Sequence, residues 1–290
     1  MHRIAITGAG GFIGTHLIRH LDAQNFSHVA MRRTENDFIY PPDWEAFDSI
    51  IHLAAGAHKK KSQKTNLSYT LNLTEKAINS NVRQFIFVSS IGVLGEFSGN
   101  SPFNSDSPYN PYNDYSLSKM EAEEAIKRAF RGTNVKWTII RPPLVYGAGA
   151  KGNFRALSNL VQKVPIMPLG SIKSVRSFCS VNNLCDLIIH CLGNERSYNQ
   201  TFLVSDDTSL ALIDMIKMLY RSLDKSCWLV PIPYPLMHLA GLITGKTQTL
   251  RKLNSSLTLD ISYTKETLGW CPPYAMEAEI REALKNDQAV

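Results

Sequence analysis

The sequence predicts an α/β protein with a doubly wound parallel sheet and a smaller C-terminal lobe. Short apolar, β-branched runs typical of buried strands alternate with segments of helical periodicity, as in parallel sheets. The first run, Arg3–Thr7, leads directly into a glycine-rich turn and a helix. With 290 residues, 44% of them hydrophobic, the chain can bury a sizeable core. After Arg141 and Pro142 the alternation loses its regularity, which places the smaller lobe in the second half.

The glycine-rich turn predicts a dinucleotide-binding site. Gly8, Gly11 and Gly14 are three residues apart, Phe12 and Ile13 stand between the last two, and the helical pattern continues from there. Glycine permits positive φ and close backbone approach. The free N–H groups at the start of the following helix suit a pyrophosphate. An ordinary tight turn is the alternative interpretation of the glycines alone.

The end of the second predicted strand bears on the choice of dinucleotide. Arg33 lies 19 residues after Gly14, Arg32 precedes it, and no acid occupies the strand end. A carboxylate there usually binds the 2′-hydroxyl of NAD, whereas an arginine accommodates the 2′-phosphate of NADP. The sequence therefore favours NADP(H) and leaves NAD(H) possible. The alternative is that both arginines are solvated surface charges.

Two further predicted strands end in residues that suit a cofactor site. The first continues through Leu53 into Ala54 and Ala55, which are small enough to pass close to a cofactor. His52 interrupts this apolar run, and we interpret it as a buried histidine with hydrogen-bond partners, not as a catalyst. The second strand ends at Ser90, 25 residues before Tyr115.

Tyr115 and Lys119 form a Tyr-x-x-x-Lys pattern, which on a helix places both side chains on one face. A phenol has a pKa near 10, and a neighbouring ammonium group favours the phenolate. The pair therefore predicts a proton donor and acceptor that works near neutral pH. The spacing alone is weak evidence in a chain with eleven tyrosines, so its context carries the interpretation.

Taken together, these motifs resemble extended short-chain dehydrogenase/reductases of the NAD(P)-dependent nucleotide-sugar epimerase/dehydratase family. The matching residues run in the family's order through the glycine turn, Asp48–Ala55, Asn72, Val88–Ser90, Tyr115 with Lys119, Arg141–Gly147, Arg176–Asn182 and Leu268–Trp270. The resemblance implies a Rossmann-type fold in which residues 1–142 and 176–207 form the dinucleotide-binding domain. Residues 143–175 and 208–290 would form the lobe that binds the sugar nucleotide.

The resemblance also implies roles for individual residues. Tyr115 transfers the proton, Ser90 hydrogen-bonds the C4 oxygen, Lys119 binds the nicotinamide ribose, and Asn72 supports the site. The implied cofactor-binding set is Gly8, Gly11, Phe12, Ile13, Gly14, Arg32, Arg33, Leu53, Ala54, Ala55, Tyr115, Lys119 and Pro142.

The substrate side is less well defined by the sequence. The resemblance implies that Arg176 binds the substrate diphosphate, where a guanidinium can contact two oxygens at once. Asn153 and Arg251 are weaker candidates beside Ser90 and Tyr115, with surface positions as the alternative. Leu144 stands where many family members have an asparagine that touches the substrate, so those contacts stay open.

The residues after Ser90 narrow the reaction. A 4,6-dehydratase needs an acid and a base there, but Ile91 and Gly92 can supply neither. Chemistry at C4 alone remains. We expect a UDP-4-keto-(6-deoxy)hexosamine reductase of surface-polysaccharide synthesis, with a UDP-glucose or UDP-N-acetylglucosamine 4-epimerase holding NAD tightly as the alternative. A non-catalytic protein that senses NADP is a remote alternative.

Composition sets limits on other functions. The net charge of +6 fits an anionic cofactor and substrate, and is too dispersed to indicate nucleic acid. The five cysteines lack zinc spacing and are interpreted as reduced thiols, and no metal site is predicted. The apolar stretch 235–244 is too short to span a bilayer. We therefore expect a cytoplasmic enzyme without a membrane partner, and the resemblance implies a homodimer.

Overall fold

The computed structural model describes residues 2–33, 38–39, 44–53, 62–150, 152–245 and 247–288. Within these ranges, the side chains of residues 32–33, 38–39, 62–66, 153 and 286–288 lie outside the description. The strands are β1 Arg3–Thr7, β2 Ser27–Arg33, β3 Phe38–Ile39, β4 Ser49–His52, β5 Gln84–Val88, β6 Lys136–Arg141, β7 Leu144–Tyr146, β8 Ile166–Met167, β9 Val175–Ser180, β10 Gln200–Leu203, β11 Ser209–Ala211 and β12 Trp228–Leu229. The helices are α1 Phe12–Ala23, α2 Ser62–Ile78, α3 Asp114–Ala129, α4 Asn153–Lys163, α5 Val181–Cys191, α6 Leu212–Ser222, α7 Tyr234–Thr244, α8 Thr247–Leu253, α9 Ser262–Leu268 and α10 Met276–Gln288.

A seven-stranded sheet forms the larger part of the fold, in the order β10-β6-β5-β4-β1-β2-β3. All its pairings are parallel except the one between β2 and the two-residue β3. Every residue of β4 and β5 is buried, as expected for strands covered by helices on both faces. The strand order reverses beside β1, and in such sheets ligands bind outside the carboxyl ends at this point. The predicted α/β fold is confirmed.

The smaller lobe is built on two short sheets. One has the order β11-β9-β7, and the other pairs β12 with β8. Phe154, Ile216, Leu219 and Ile280 pack in its core. Residues 176–207 are predicted to belong to the dinucleotide-binding domain. Within them, strand β10 joins the large sheet, whereas strand β9 belongs to the three-stranded sheet. The exact domain boundaries stay a prediction.

A buried ion pair ties together the elements that frame the sheet's carboxyl edge. Arg141, the last residue of β6, donates to Glu123 of α3 over 2.6 Å, and both side chains are almost fully buried. The same carboxylate accepts hydrogen bonds from Ser89 at 2.5 Å, just after β5, and from Tyr109 at 2.7 Å. The Tyr109 ring also lies 5.0 Å from the Arg141 guanidinium carbon. One carboxylate therefore fixes two strand ends, a helix and a loop.

We predict that Glu123→Gln destabilises the fold by about 3–5 kcal/mol, because the shape is kept while a buried guanidinium loses its counter-charge. The free energy of unfolding in urea measures the loss. Glu124→Gln is the matched control, since Glu124 pairs with Arg128 at 3.7 Å on the surface. That change should cost less than about 1 kcal/mol. Equal losses in the two variants would contradict the role assigned to Glu123.

Candidate active site

The glycine turn connects β1 to α1 at the point where the strand order reverses. Gly8 has φ +72°, and the Gly11 N–H donates to its carbonyl over 2.9 Å. A Cβ on Gly14 would lie 2.6 Å from Ala9 Cα, so only glycine permits this close approach. Gly11 caps α1 without a side-chain hydrogen bond, which leaves the first N–H groups of the helix available for a pyrophosphate. The turn therefore fits a dinucleotide.

Phe12 and Ile13 are partly buried and pack against the large core through their side chains. A Cβ on Gly147 would lie 3.6 Å from Phe12 Cζ, so this ring also meets the start of the smaller lobe. Any contact of these two residues with a dinucleotide would therefore come from their main-chain N–H groups at the start of α1.

The predicted cofactor residues at the other strand ends are only partly described. The Leu53 N–H donates to the Thr7 carbonyl over 3.2 Å, so Leu53 lies at the carboxyl end of β4 beside β1. Ala54 and Ala55 fall outside the described residues. The backbones of Arg32 and Arg33 end β2 opposite β3, whereas their side chains lie outside the description. Their part in cofactor choice stays a prediction.

His52 is buried beneath the site and is held by hydroxyl groups. Its Nδ1 lies 2.6 Å from the Thr7 hydroxyl and its Nε2 lies 3.1 Å from that of Thr70. The ring stacks on Phe87. Burial, with a smaller contribution from Lys119, lowers the pKa of His52 to about 3. The imidazole is therefore neutral at physiological pH, and the structure agrees with its interpretation as a buried histidine with partners.

The predicted catalytic pair, Tyr115 and Lys119, lies on the first turns of α3, whose N-terminus is fixed by a capping box between Asn113 and Ser116. The Lys119 ammonium donates to the Val88 carbonyl over 2.8 Å and lies 4.5 Å from the centre of the Phe87 ring. Tyr115 is one helical turn earlier. The helix thus joins the two side chains to the end of β5, two residues before Ser90.

The structure corrects the expected electrostatics of this pair. Burial raises the pKa of Tyr115 to about 12, with a smaller contribution from Tyr112, and Lys119 does not offset it. Burial likewise lowers the pKa of Lys119 to about 7, although the carboxylate of Glu123 acts in the opposite direction. A half-neutral lysine favours a phenolate less than a permanent cation does. A positive charge from a bound oxidised nicotinamide would then be needed to favour the phenolate.

Ser90 is brought to the first turn of α3 by a tight 3₁₀ turn, Ile91–Val93. The Ser90 hydroxyl oxygen accepts from the Gly92 N–H over 3.1 Å, and it is partly exposed. A Cβ on Gly92 would lie 3.4 Å from Ser116 Cβ, so this turn packs directly on the helix. Ile91 is buried in the hydrophobic core. Neither residue after Ser90 supplies an acid or a base.

The residues predicted to bind the substrate differ in their contacts and in their exposure. Arg176 of β9 donates to the main-chain carbonyls of Lys252 and Ser255, so its guanidinium holds the end of α8. Arg251 is exposed, with its guanidinium carbon 5.5 Å from the centre of the Phe97 ring. The side chain of Asn153 lies outside the description. The diphosphate contact of Arg176 and the roles of Arg251 and Asn153 stay predictions.

Asn72, predicted to support the site, and Pro142, predicted to bind the cofactor, take different positions, and both roles stay predictions. Asn72 is exposed on α2, where its side chain is not enclosed by the sheet edge. The Pro142 carbonyl accepts from the Ile91 N–H over 2.9 Å, so Pro142 fixes the turn after Ser90.

Glu123, which supports the site from the side of the core, was not predicted from the sequence. The pattern that indicates it is the four-residue spacing Tyr115, Lys119, Glu123 on one helix face.

The low pKa of Lys119 predicts how stability changes with pH. The unfolded chain keeps this lysine protonated up to about 10.5, whereas in the fold it loses its proton near pH 7. The unfolded state therefore binds more protons between these values, and this residue's contribution to stability rises with pH. Between pH 7 and 8.5 we expect a gain of about 1.5 kcal/mol, at about 1.4 kcal/mol per pH unit. Urea unfolding of the wild type and of Lys119→Met measures it. An identical pH dependence in the two proteins would contradict this prediction.

Comparison with known proteins agrees with the geometry. The model of the NAD dependent epimerase/dehydratase family matches residues 4–204. The UDP-glucose 4-epimerase of Vibrio cholerae is 36% identical, over 97% of this chain and 94% of that protein. The N-acetyl-alpha-D-glucosaminyl-diphospho-ditrans,octacis-undecaprenol 4-epimerase of Escherichia coli O157:H7 is 27% identical, over 97% of this chain and 94% of that protein.

The fold also agrees with solved structures. The UDP-glucose 4-epimerase of Thermotoga maritima with UDP-glucose superposes with a TM-score of 0.77, covering 99% of each chain at 21% identity. The predicted family is thereby confirmed. With a Rossmann-type sheet, a glycine turn suited to a dinucleotide and a Tyr115–Lys119 helix beside Ser90, the chain belongs to the NAD dependent epimerase/dehydratase family and is an enzyme of that family.

Proposed function

We propose that the protein is an NAD(P)-dependent 4-epimerase of a UDP-linked hexose or N-acetylhexosamine. The observation that carries the proposal concerns the two residues after Ser90: Ile91 lies in the core and Gly92 has no side chain, so among the described residues of this turn none adds an acid or a base to Tyr115. Such a site suits reversible oxidation at one carbinol carbon. The 36% identical relative, matched over 97% of the chain, is named for this reaction.

The residues have separate tasks in the proposed reaction. A bound nicotinamide would supply the hydride acceptor and donor for the sugar's C4. Tyr115 takes the proton of the C4 hydroxyl as that carbon is oxidised and gives it back after the sugar has presented its other face. Ser90 hydrogen-bonds the same oxygen and fixes its position. Lys119, anchored to Val88, holds the ribose side of the site.

The test is turnover of UDP-N-acetylglucosamine and UDP-glucose by the purified protein, given NAD⁺ and no reductant, with the epimers resolved by proton NMR. We expect each reactive sugar to approach an equilibrium mixture of its C4 epimers. Tyr115→Phe should lower kcat by about 10²–10⁴-fold, because it removes the only proposed proton carrier. Cofactor binding should persist. Tyr263→Phe makes the same change at an exposed tyrosine bonded to Gln200 and should leave kcat unaltered. Full activity of Tyr115→Phe would remove Tyr115 from this role.

A UDP-4-keto-hexosamine reductase is the second candidate, and Arg32 with Arg33 at the end of β2 favours it. This arginine pair suits the 2′-phosphate of NADPH, the reductant that such an enzyme consumes. Consumption of NADPH with a 4-keto-sugar nucleotide, without interconversion of UDP-sugars, would select the reductase over the epimerase.

For the reductase, we predict that NADPH binds more tightly than NADH and that Arg33→Asp shifts the ratio of their dissociation constants at least about tenfold towards NADH, since it replaces the proposed phosphate contact by a carboxylate. Quenching of cofactor fluorescence measures both constants. Arg19→Asp, on α1, is the charge-matched control. An unchanged ratio in Arg33→Asp would refute the assignment of cofactor choice to this residue.

The predicted homodimer remains part of the proposal. Helices α2 and α3 pack on each other and carry the exposed apolar side chains Leu71, Ile78 and Leu117. A symmetric contact would bury these side chains. Cytoplasmic location is likewise retained as an expectation.

A further inference from the structure

Helix α7 of the smaller lobe exposes an unusual number of aliphatic side chains. Leu236, Leu239, Leu242 and Ile243 are 58%, 55%, 59% and 81% exposed. Their spacing, with Ala240 among them, places them on one broad outward face. Met237 and Gly241 point the other way, where a Cβ on Gly241 would lie 2.5 Å from Leu250 Cδ1 of α8. The helix therefore buries a narrow side against α8 and presents its apolar side outwards.

The chain just before α7 extends the apolar character. Trp228 in β12 is 75% exposed, the most of any large aromatic ring among the described residues, and its register partner Ile166 is also exposed. Exposed groups of large apolar side chains on a folded protein usually mark an interaction surface. We call Trp228 together with the outward face of α7 the apolar face.

Within residues 225–259, the segment that carries the apolar face, the charges all have one sign, and Asp224 and Asp260 lie directly outside it. From residue 225 to residue 259 the sequence contains Lys225, Lys246, Arg251 and Lys252 and no aspartate or glutamate. Lys225 and Arg251 are exposed, and Lys252 pairs with Glu96 from outside the segment at 3.1 Å. An apolar helix flanked by cations, with a tryptophan and a tyrosine at its edge, has the composition of a segment that lies in the interface of an anionic bilayer.

A second copy of the chain is a poorer occupant of this face. A twofold contact would set the same patch, with the cations of its segment, against itself. The segment offers no carboxylate to compensate them. An anionic lipid surface accepts both the aliphatic side chains and the charges.

The length of helix α7 fits a helix that lies on a membrane surface and is too short for one that crosses the membrane. Helix α7 has 11 residues and so is about 16 Å long, roughly half the thickness of a hydrocarbon core. Among the described residues, none of the helices has the length and apolar composition of a membrane span.

We propose that the apolar face docks the protein onto the surface of an anionic phospholipid bilayer, with α7 parallel to the membrane plane. This revises the sequence-based expectation of no membrane partner. The inference goes beyond the proposed function and does not depend on it. Since α8 follows α7 directly and is held by Arg176 of the smaller lobe, docking would place that lobe against the membrane.

The test is flotation of the full-length protein with vesicles of phosphatidylcholine, alone or with about one third phosphatidylglycerol. We expect the protein to float with the anionic vesicles, less with the neutral ones, and less in about 1 M than in about 0.1 M salt. Leu239→Gln/Ile243→Gln should reduce the floating fraction at least about tenfold. The control is Leu160→Gln, which makes the same kind of replacement at an exposed position on α4, outside both the apolar face and the proposed dimer contact, and should float like the wild type.

Two results would overturn the proposal. One is failure of the wild type to float with anionic vesicles under either salt condition. The other is equal flotation of the α7 variant and its control. If gel filtration shows instead that Leu239→Gln/Ile243→Gln converts a dimer to a monomer while the wild type binds no vesicles, the apolar face covers a second copy of the chain.

Discussion

The buried pair between Glu123 and Arg141 is the interaction on which the active site depends. Taking two charges out of water is costly, and the cost is offset here because Ser89 and Tyr109 complete the hydrogen bonding of the carboxylate. The elements it joins are the ends of β5 and β6 and the helix that carries Tyr115 and Lys119. The geometry of the site is therefore set from beneath, by a group that would not touch the substrate.

The adjacent serines Ser89 and Ser90, just after β5, face in different directions. Ser89 turns its hydroxyl inwards to Glu123, whereas Ser90 remains partly exposed above the turn that packs on α3. Lys119 contributes to both sides, since its ammonium group bonds the Val88 carbonyl and lies in the field of Glu123. Structural support and the proposed proton chemistry would thus be coupled through one helix face.

The sequence could predict the parallel sheet, the glycine turn and the Tyr115–Lys119 helix because each depends on local patterns and on fixed spacing. It could not predict the raised pKa of Tyr115, which arises from the burial of its side chain in the fold. Nor could it reveal that Arg176 holds the end of α8 or that Asn72 is exposed, since both depend on how α2 and the smaller lobe pack. Glu123 had a signal in its spacing, but a carboxylate on a helix is usually solvated.

The burial of Ile91 limits what this scaffold could become in evolution. A dehydratase needs a carboxyl group directly after the hydroxyl residue. A substitution at position 91 would put that group in the hydrophobic core, because the Ile91 side chain is buried there. A carboxylate placed there would have to ionise among Val93, Leu94 and Ile140, at a large desolvation cost. A new reaction would require the turn itself to be rebuilt, so the present chemistry is protected by packing as much as by the identity of the residues that perform it.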